Sequence, residues 1–126
     1  MRGNPVYQFE YDPEKKIVYK RHFGSISKED IFNSWDHAIA QKLIPLETSG
    51  FIVDFRNAHL GIKMMDVKAI PHYFDLHSDI FGGKKMAVIV NTPEEIVFPV
   101  VIEHAKKSYF LKPFSTEEAA LKWILE

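Results

Sequence analysis

Six histidines, at positions 22, 37, 59, 72, 77 and 104, are the first residues of this chain that could do chemistry. Two imidazoles share one helix face, and can grip one metal ion, when the spacing is His-x3-His. No pair has that spacing; His72 and His77 stand five apart, which turns them to different faces. Each histidine is therefore read as solvent-facing or held by one hydrogen bond. That leaves only a zinc site gathered from distant parts of the chain. There is no cysteine, which removes thiolate zinc sites, iron–sulfur clusters, disulfides and cysteine nucleophiles together. The nucleophile elbow Gly-x-Ser-x-Gly is also missing. Ser25, Ser27, Ser115 and Thr116 stand at helix starts, where capping accounts for them.

Two further arrangements have residue types that could do chemistry. Asp54 and Asp66 are a carboxylate pair of the kind used in acid–base catalysis. The simpler account has Asp54 ending a buried strand and accepting loop N–H groups, with Asp66 opening a helix. Gly82-Gly83-Lys84-Lys85 lacks the spacing of a phosphate-binding loop and precedes a strand rather than a helix. The expected helix starts carry their own carboxylates: Glu29 and Asp30, Asp66, Glu94 and Glu95, Glu117 and Glu118. These complement the helix dipoles and repel a phosphate. No catalytic constellation, metal site or cofactor site is recognised, and the chain is expected not to be an enzyme.

The chain of 126 residues is expected to form a single domain, 1–126, with one hydrophobic core. Its formal net charge of -1 recruits neither nucleic acid nor an anionic membrane. The start, Met1-Arg2-Gly3-Asn4-Pro5, lacks a signal peptide's apolar stretch. The longest apolar run, Ile96 to Ile102, is interrupted by Pro99 and too short to span a bilayer. A cytoplasmic location is expected.

Patterning supplies the elements that must position any site. Val6 to Tyr11 and Ile17 to Phe23 are rich in β-formers around the turn residues Asp12 to Lys16, which predicts a hairpin ended by Gly24. Ser27, with Asp30 three residues on and the staple Ile26/Ile31, opens a helix carrying Ile31, Trp35, Ile39 and Leu43. Pro45 is expected to stop it. Gly50 to Phe55 reads as a buried strand and Arg56 to Lys63 as a loop. Val67, Ile70, Phe74, His77 and Phe81 form a second helical stripe containing Pro71. The helix therefore starts near Asp66 and bends, or starts at Pro71. Gly82-Gly83 ends it, and Met86 to Val90 is a buried strand. Thr92-Pro93-Glu94-Glu95 begins a bent helix, Tyr109 to Phe114 is an edge strand, and Ser115-Thr116-Glu117-Glu118 is a capping box for the last helix. The order ββαβαβαβα implies a largely parallel sheet with an antiparallel N-terminal hairpin.

Trp35 and Trp123 lie on helix stripes and are expected in the core. Tyr7, Phe9, Tyr11, Tyr19 and Phe23 burden the hairpin with more aromatic surface than one face can bury. That surplus points to a homodimer contact, a partner site or an apolar cleft.

The hairpin, "GFIVDFRN", "KMAVIVN" and the ending "KPFSTEEAALKWI" resemble the SpoIIAA-like (anti-sigma-factor-antagonist-like) branch of STAS domains, from about Val6 to Leu125. The resemblance implies a β/α superhelix: a small mixed sheet packed with about four helices. It also implies a regulatory, protein-binding role, usually in bacteria. Regulatory members carry a phosphorylatable serine just after the strand matching Phe51 to Phe55. Asp54 fits the acidic position there, but no serine or threonine occurs from Phe55 to His77. Some related domains are compared with lipid-binding Sec14 modules, which implies a small apolar-ligand or lipid binder as the alternative.

Binding surfaces of such sheets lie beyond the C-terminal ends of parallel strands. Asp54, Arg56, Asn57, His59, Leu60 and Lys63 are therefore the expected partner-binding residues, mixing charge with apolar surface. The competing account tucks Leu60 and Ile62 beneath the loop and pairs Arg56 with a nearby carboxylate. The expected partner is another protein, with a second copy of the chain as the other reading.

Overall fold

The computed structural model describes residues 6–91 and 108–126, leaving the helix expected from Thr92 outside the described residues. The hairpin is present: β1 (Val6–Asp12) and β2 (Ile17–Ile26) pair antiparallel, Asp12 opposite Ile17. The Asp12 carboxylate accepts the Glu14 and Lys15 N–H groups, and Lys16 takes the left-handed conformation at φ 60°. These are the reasons for the turn chemistry at this point.

α1 (Lys28–Ala40) begins in a capping box. The Asp30 N–H donates to Ser27 Oγ at 3.1 Å, and the Ser27 N–H donates to Asp30 Oδ2 at 2.9 Å. The staple residues Ile26 and Ile31 enter one core cluster. The helix stops at Ala40, before the expected Pro45. Lys42 adopts φ 55°, while the Leu43 and Lys42 N–H groups donate back to the Ala38 and Ile39 carbonyls. This Schellman closure satisfies the last turn without a glycine or the proline.

β3 (Gly50–Leu60) corrects a second expectation: Arg56 to Leu60 continue the strand rather than forming a loop. The cause is β2, which runs on through Gly24, at φ +84°, and offers Phe23 to Ile26 as partners for Asn57 to Leu60. Between Arg21–Asp54 and Phe23–Asn57 the register shifts, because β3 carries one more residue than β2 there.

A 3₁₀ turn at Met64–Asp66 precedes α2 (Ala69–Leu76), followed by the single turn α3 (Ser78–Phe81). Neither expected helix start holds: Pro71 is the third residue of α2, where its missing N–H has no intrahelical acceptor to lose. β4 (Lys85–Ile89) and β5 (Phe110–Phe114) complete a five-stranded sheet in the order β1-β2-β3-β4-β5, parallel from β2 onward. α4 (Glu117–Leu125) is capped by Thr116 Oγ1, which accepts the Ala119 N–H at 3.1 Å. Its third residue is therefore Ala119, so the expected box is not closed from the acidic side.

The sheet buries both faces. On one, Trp35, 1% exposed, meets Phe9, Phe51, Phe74 and Phe81 edge-on at centroid distances of 5.1–6.0 Å. Such T-shaped pairs place ring edges against π-faces. Tyr7, Phe9 and Tyr11 share this face, so much of the hairpin's aromatic surplus packs inward. On the other face, α4 lays Ala120 and Ile124 on Ile17, Ile52 and Ile89. Gly50 permits this approach, since a Cβ there would stand 2.6 Å from Ile124. Trp123 is half-buried rather than core, against Phe114 at 5.5 Å.

Candidate functional site

Asp54 lies at the register shift of β3 and is 4% exposed. Its two oxygens are fully engaged. Arg56 donates its backbone N–H and Nε to Oδ1 at 2.9 and 3.0 Å, and Nη2 to Oδ2 at 2.8 Å. Arg21 Nη1 reaches Oδ2 at 3.1 Å and Glu117 Oε1 at 2.9 Å. Two guanidiniums thus stand between two carboxylates and tie β2, β3 and the first turn of α4 together. Burial alone would raise the Asp54 carboxyl; the Arg56 hydrogen bonds and the charges of Arg56 and Arg21 hold it below its ordinary value. A carboxylate so saturated is poorly placed to accept a substrate proton. Asp66 has a separate cation, Lys28 at 3.3 Å, and accepts the Lys63 N–H. Each member of the expected carboxylate pair therefore serves its own structural contact.

The expected partner-binding residues divide. Asp54 is buried, Arg56 is bound to it, and Leu60 and Ile62 are buried in the core. Asn57, His59 and Lys63 are exposed. Asn57 and His59 lie on the stretch where β2 and β3 run on past Ile89, the end of β4, as a two-stranded ridge, and Lys63 follows it. Met65, 82% exposed, follows just beyond. Asn91 Nδ2 donates to the Arg56 carbonyl at 2.5 Å and braces the base of the ridge.

A second cluster was not expected. Lys20 is fully buried on the inner face of β2; its Nζ donates to Ser34 Oγ and lies 4.1 Å from the Trp35 ring centroid. Among the described residues no carboxylate pairs with it, and burial pushes the amine well below its ordinary value. His22 is buried beside it, stacked on Phe55 at 4.9 Å, and its Nε2 has no hydrogen-bond partner among the described residues. Burial, then the Lys20 charge, lowers the imidazole to about 2. The expectation of a solvent-facing His22 is thereby corrected. A low-pKa lysine against a serine hydroxyl has the composition of a Ser–Lys nucleophile. Here both groups are buried, and Ser34 donates its proton to the Ile31 carbonyl at 2.8 Å, a helix back-bond. Val18, Lys20 and His22 share strand parity, the signal that would have marked them as inward.

Behind Trp35 lies an apolar cavity of about 50 Å³, walled by Ile31, Phe55, Leu60, Ile70 and Phe74 among others. No helix among the described residues is long and apolar enough to cross a membrane.

Among the described residues, a mixed five-stranded sheet with an antiparallel hairpin edge, helices from the crossovers on one face and a closing helix on the other make an α/β fold. No family model matches the chain, and no curated protein matches it. Among solved structures it is similar to an uncharacterized protein of the DUF3478 family from Shewanella loihica PV-4, which has a SpoIIAA-like fold. Identity is 16%, coverage 98% of each chain and the TM-score 0.64. It also aligns with the anti-sigma factor antagonist SpoIIAA in its unphosphorylated form, at 15% identity and a TM-score of 0.49, over 94% of this chain and 97% of that one. The chain has a SpoIIAA-like fold.

Proposed function

We propose that this chain is a non-catalytic, regulatory protein-interaction domain whose partner docks on the β2–β3 ridge. The carrying observation is the ridge itself. Asn57 and His59 are exposed on the two-stranded extension of the sheet and Lys63 is exposed just after it, while the groups behind them, Asp54, Arg56 and Leu60, are occupied in holding it. A rigid scaffold presenting polar side chains with an apolar neighbour, Met65, has the make-up of a contact patch. The groups best suited to chemistry support the same reading, since Asp54 is saturated and Lys20 is sealed. The test is capture from the native cell with the wild-type chain and with an Asn57→Ala, His59→Ala, Lys63→Ala variant. A partner retained by the first and lost by the second supports the ridge; equal retention removes it.

The second reading, an apolar-ligand module, is favoured by the cavity behind Trp35. Its size weighs against a lipid. A space of about 150 Å³ is what accepts benzene, and this one is about 50 Å³. An acyl chain would need the walls to part. A saturable rise in melting temperature with a fatty acid would favour this reading over the ridge.

A further inference from the structure

β1 is an edge of the sheet, and among the described residues nothing pairs with its outer side. The other edge, β5, carries Pro113 and the exposed Lys112, both of which discourage strand addition. β1 contains neither proline nor lysine over its seven residues. Among the described residues its N–H and C=O groups facing away from β2 have no backbone partner and form a template.

The two faces beside that edge differ in chemistry. On the inner face, Tyr7, Phe9 and Tyr11 are only half-buried, so their rings leave an apolar rim. On the outer face, α4 packs chiefly on β3, β4 and β5 and reaches Ile17 of β2, while Gln8 and Glu10 of β1 remain exposed. Two contiguous depressions of about 380 and 450 Å³ lie there, sharing Glu10, Tyr19 and Arg21. Around them stand Glu10, Asp12 and Glu117, with Asp54 behind. The cations are Arg21 and Arg56, engaged by Asp54 and Glu117, and Lys15, 3.8 Å from Asp12. Glu10 is exposed and has no ion-pair partner among the described residues.

We infer that the β1 edge accepts an extended, basic segment of a partner protein as a sixth strand. Alternate side chains of such a strand point to opposite faces. Lysine or arginine at one set of positions meets Glu10 and Asp12, and apolar residues at the other set meet Tyr7, Phe9 and Tyr11. A second copy of this chain fits less well. Pairing β1 with itself puts Glu10 and Asp12 of both copies on one face, with no base on the strand to offset them. The inference rests on the reading of this chain as an interaction domain and adds an edge distinct from the ridge.

The test is titration of the isotope-labelled full chain with a capped peptide as long as β1, alternating valine and lysine. Two control peptides carry glutamate for lysine, or proline at the centre. The expected result is saturable, salt-sensitive binding with amide shifts centred on β1. Neither control binds, and Glu10→Lys weakens the complex about tenfold, the scale of losing one well-placed charge contact. No binding, equal binding of a control, shifts away from β1, or a self-associated chain that buries β1 would each overturn the inference. Loss of a captured partner on ridge substitution would still leave the proposed function standing, so the two failures are distinguishable.

Discussion

Lys20 Nζ lies 4.1 Å from the centroid of the Trp35 ring, inside the core, and among the described residues no carboxylate balances it. The indole face, the more distant Tyr7 ring and Ser34 Oγ are the contacts that replace water. A cation–π contact with one hydrogen bond does not repay the removal of an ammonium from water, so the amine gives up its proton readily.

Lys20→Met is therefore expected to stabilise the protein, on the order of 1–4 kcal/mol, as when other buried charges give way to apolar side chains of similar volume. The pH dependence has a definite sign. The unfolded lysine holds its proton up to about 10.5, while the folded one releases it at lower pH. Between those limits the unfolded state binds more protons, so wild-type stability rises with pH toward 10.5. Urea titrations across the alkaline range should show that slope in the wild type and lose it in the variant. A destabilised variant with the slope intact would contradict this account of Lys20.

His22 should govern the mildly acid range. Its folded value is about 2 against an unfolded value near 6.5, so stability is full above 6.5 and declines as pH falls below it. One proton gives a limiting slope of about 1.4 kcal/mol per pH unit. His22→Phe, which keeps the stack on Phe55, should flatten the decline between pH 6.5 and 4.5. An unchanged slope in that window would place the acid sensitivity elsewhere.

Asp54→Asn should cost about 1–3 kcal/mol in urea unfolding. Breaking a wholly buried ion pair costs 3–5 kcal/mol, but both guanidiniums here reach solvent, which lowers the penalty. Glu117→Gln, at the exposed end of the same quartet, should cost under about 1 kcal/mol. Equal losses at the two positions would mean that Asp54 is not the anchor.

The two tryptophans should separate. Trp35→Ala is expected to cost about 3–5 kcal/mol, the range for a buried large aromatic, and Trp123→Ala clearly less because its ring is half-buried. Similar losses would contradict the packing described around them.

Local signals made most of the fold legible. The Ser27–Asp30 box, Thr116 as a cap, and Gly82-Gly83 mark their elements, because each depends on chemistry within a few residues of itself. The length of β3 did not, because Arg56 to Leu60 are strand only by virtue of Phe23 to Ile26 beside them. The site was legible in part: the pairing of Arg56 with a nearby carboxylate was one of two open readings, and Asp54 is that carboxylate. Lys20 is not singled out by the sequence and His22 reads as solvent-facing or held by one hydrogen bond, because their residue types suggest solvent; strand parity with Val18 carries the opposite message.

The ridge is the centre of the functional account, and partner capture tests it most directly. With the wild-type chain, a specific partner from the native cell should be retained. With Asn57→Ala, His59→Ala and Lys63→Ala combined, that partner should be lost while the melting temperature stays within a few degrees of wild type, because all three side chains are exposed. A partner held equally well by a folded triple variant would contradict the ridge as the docking surface.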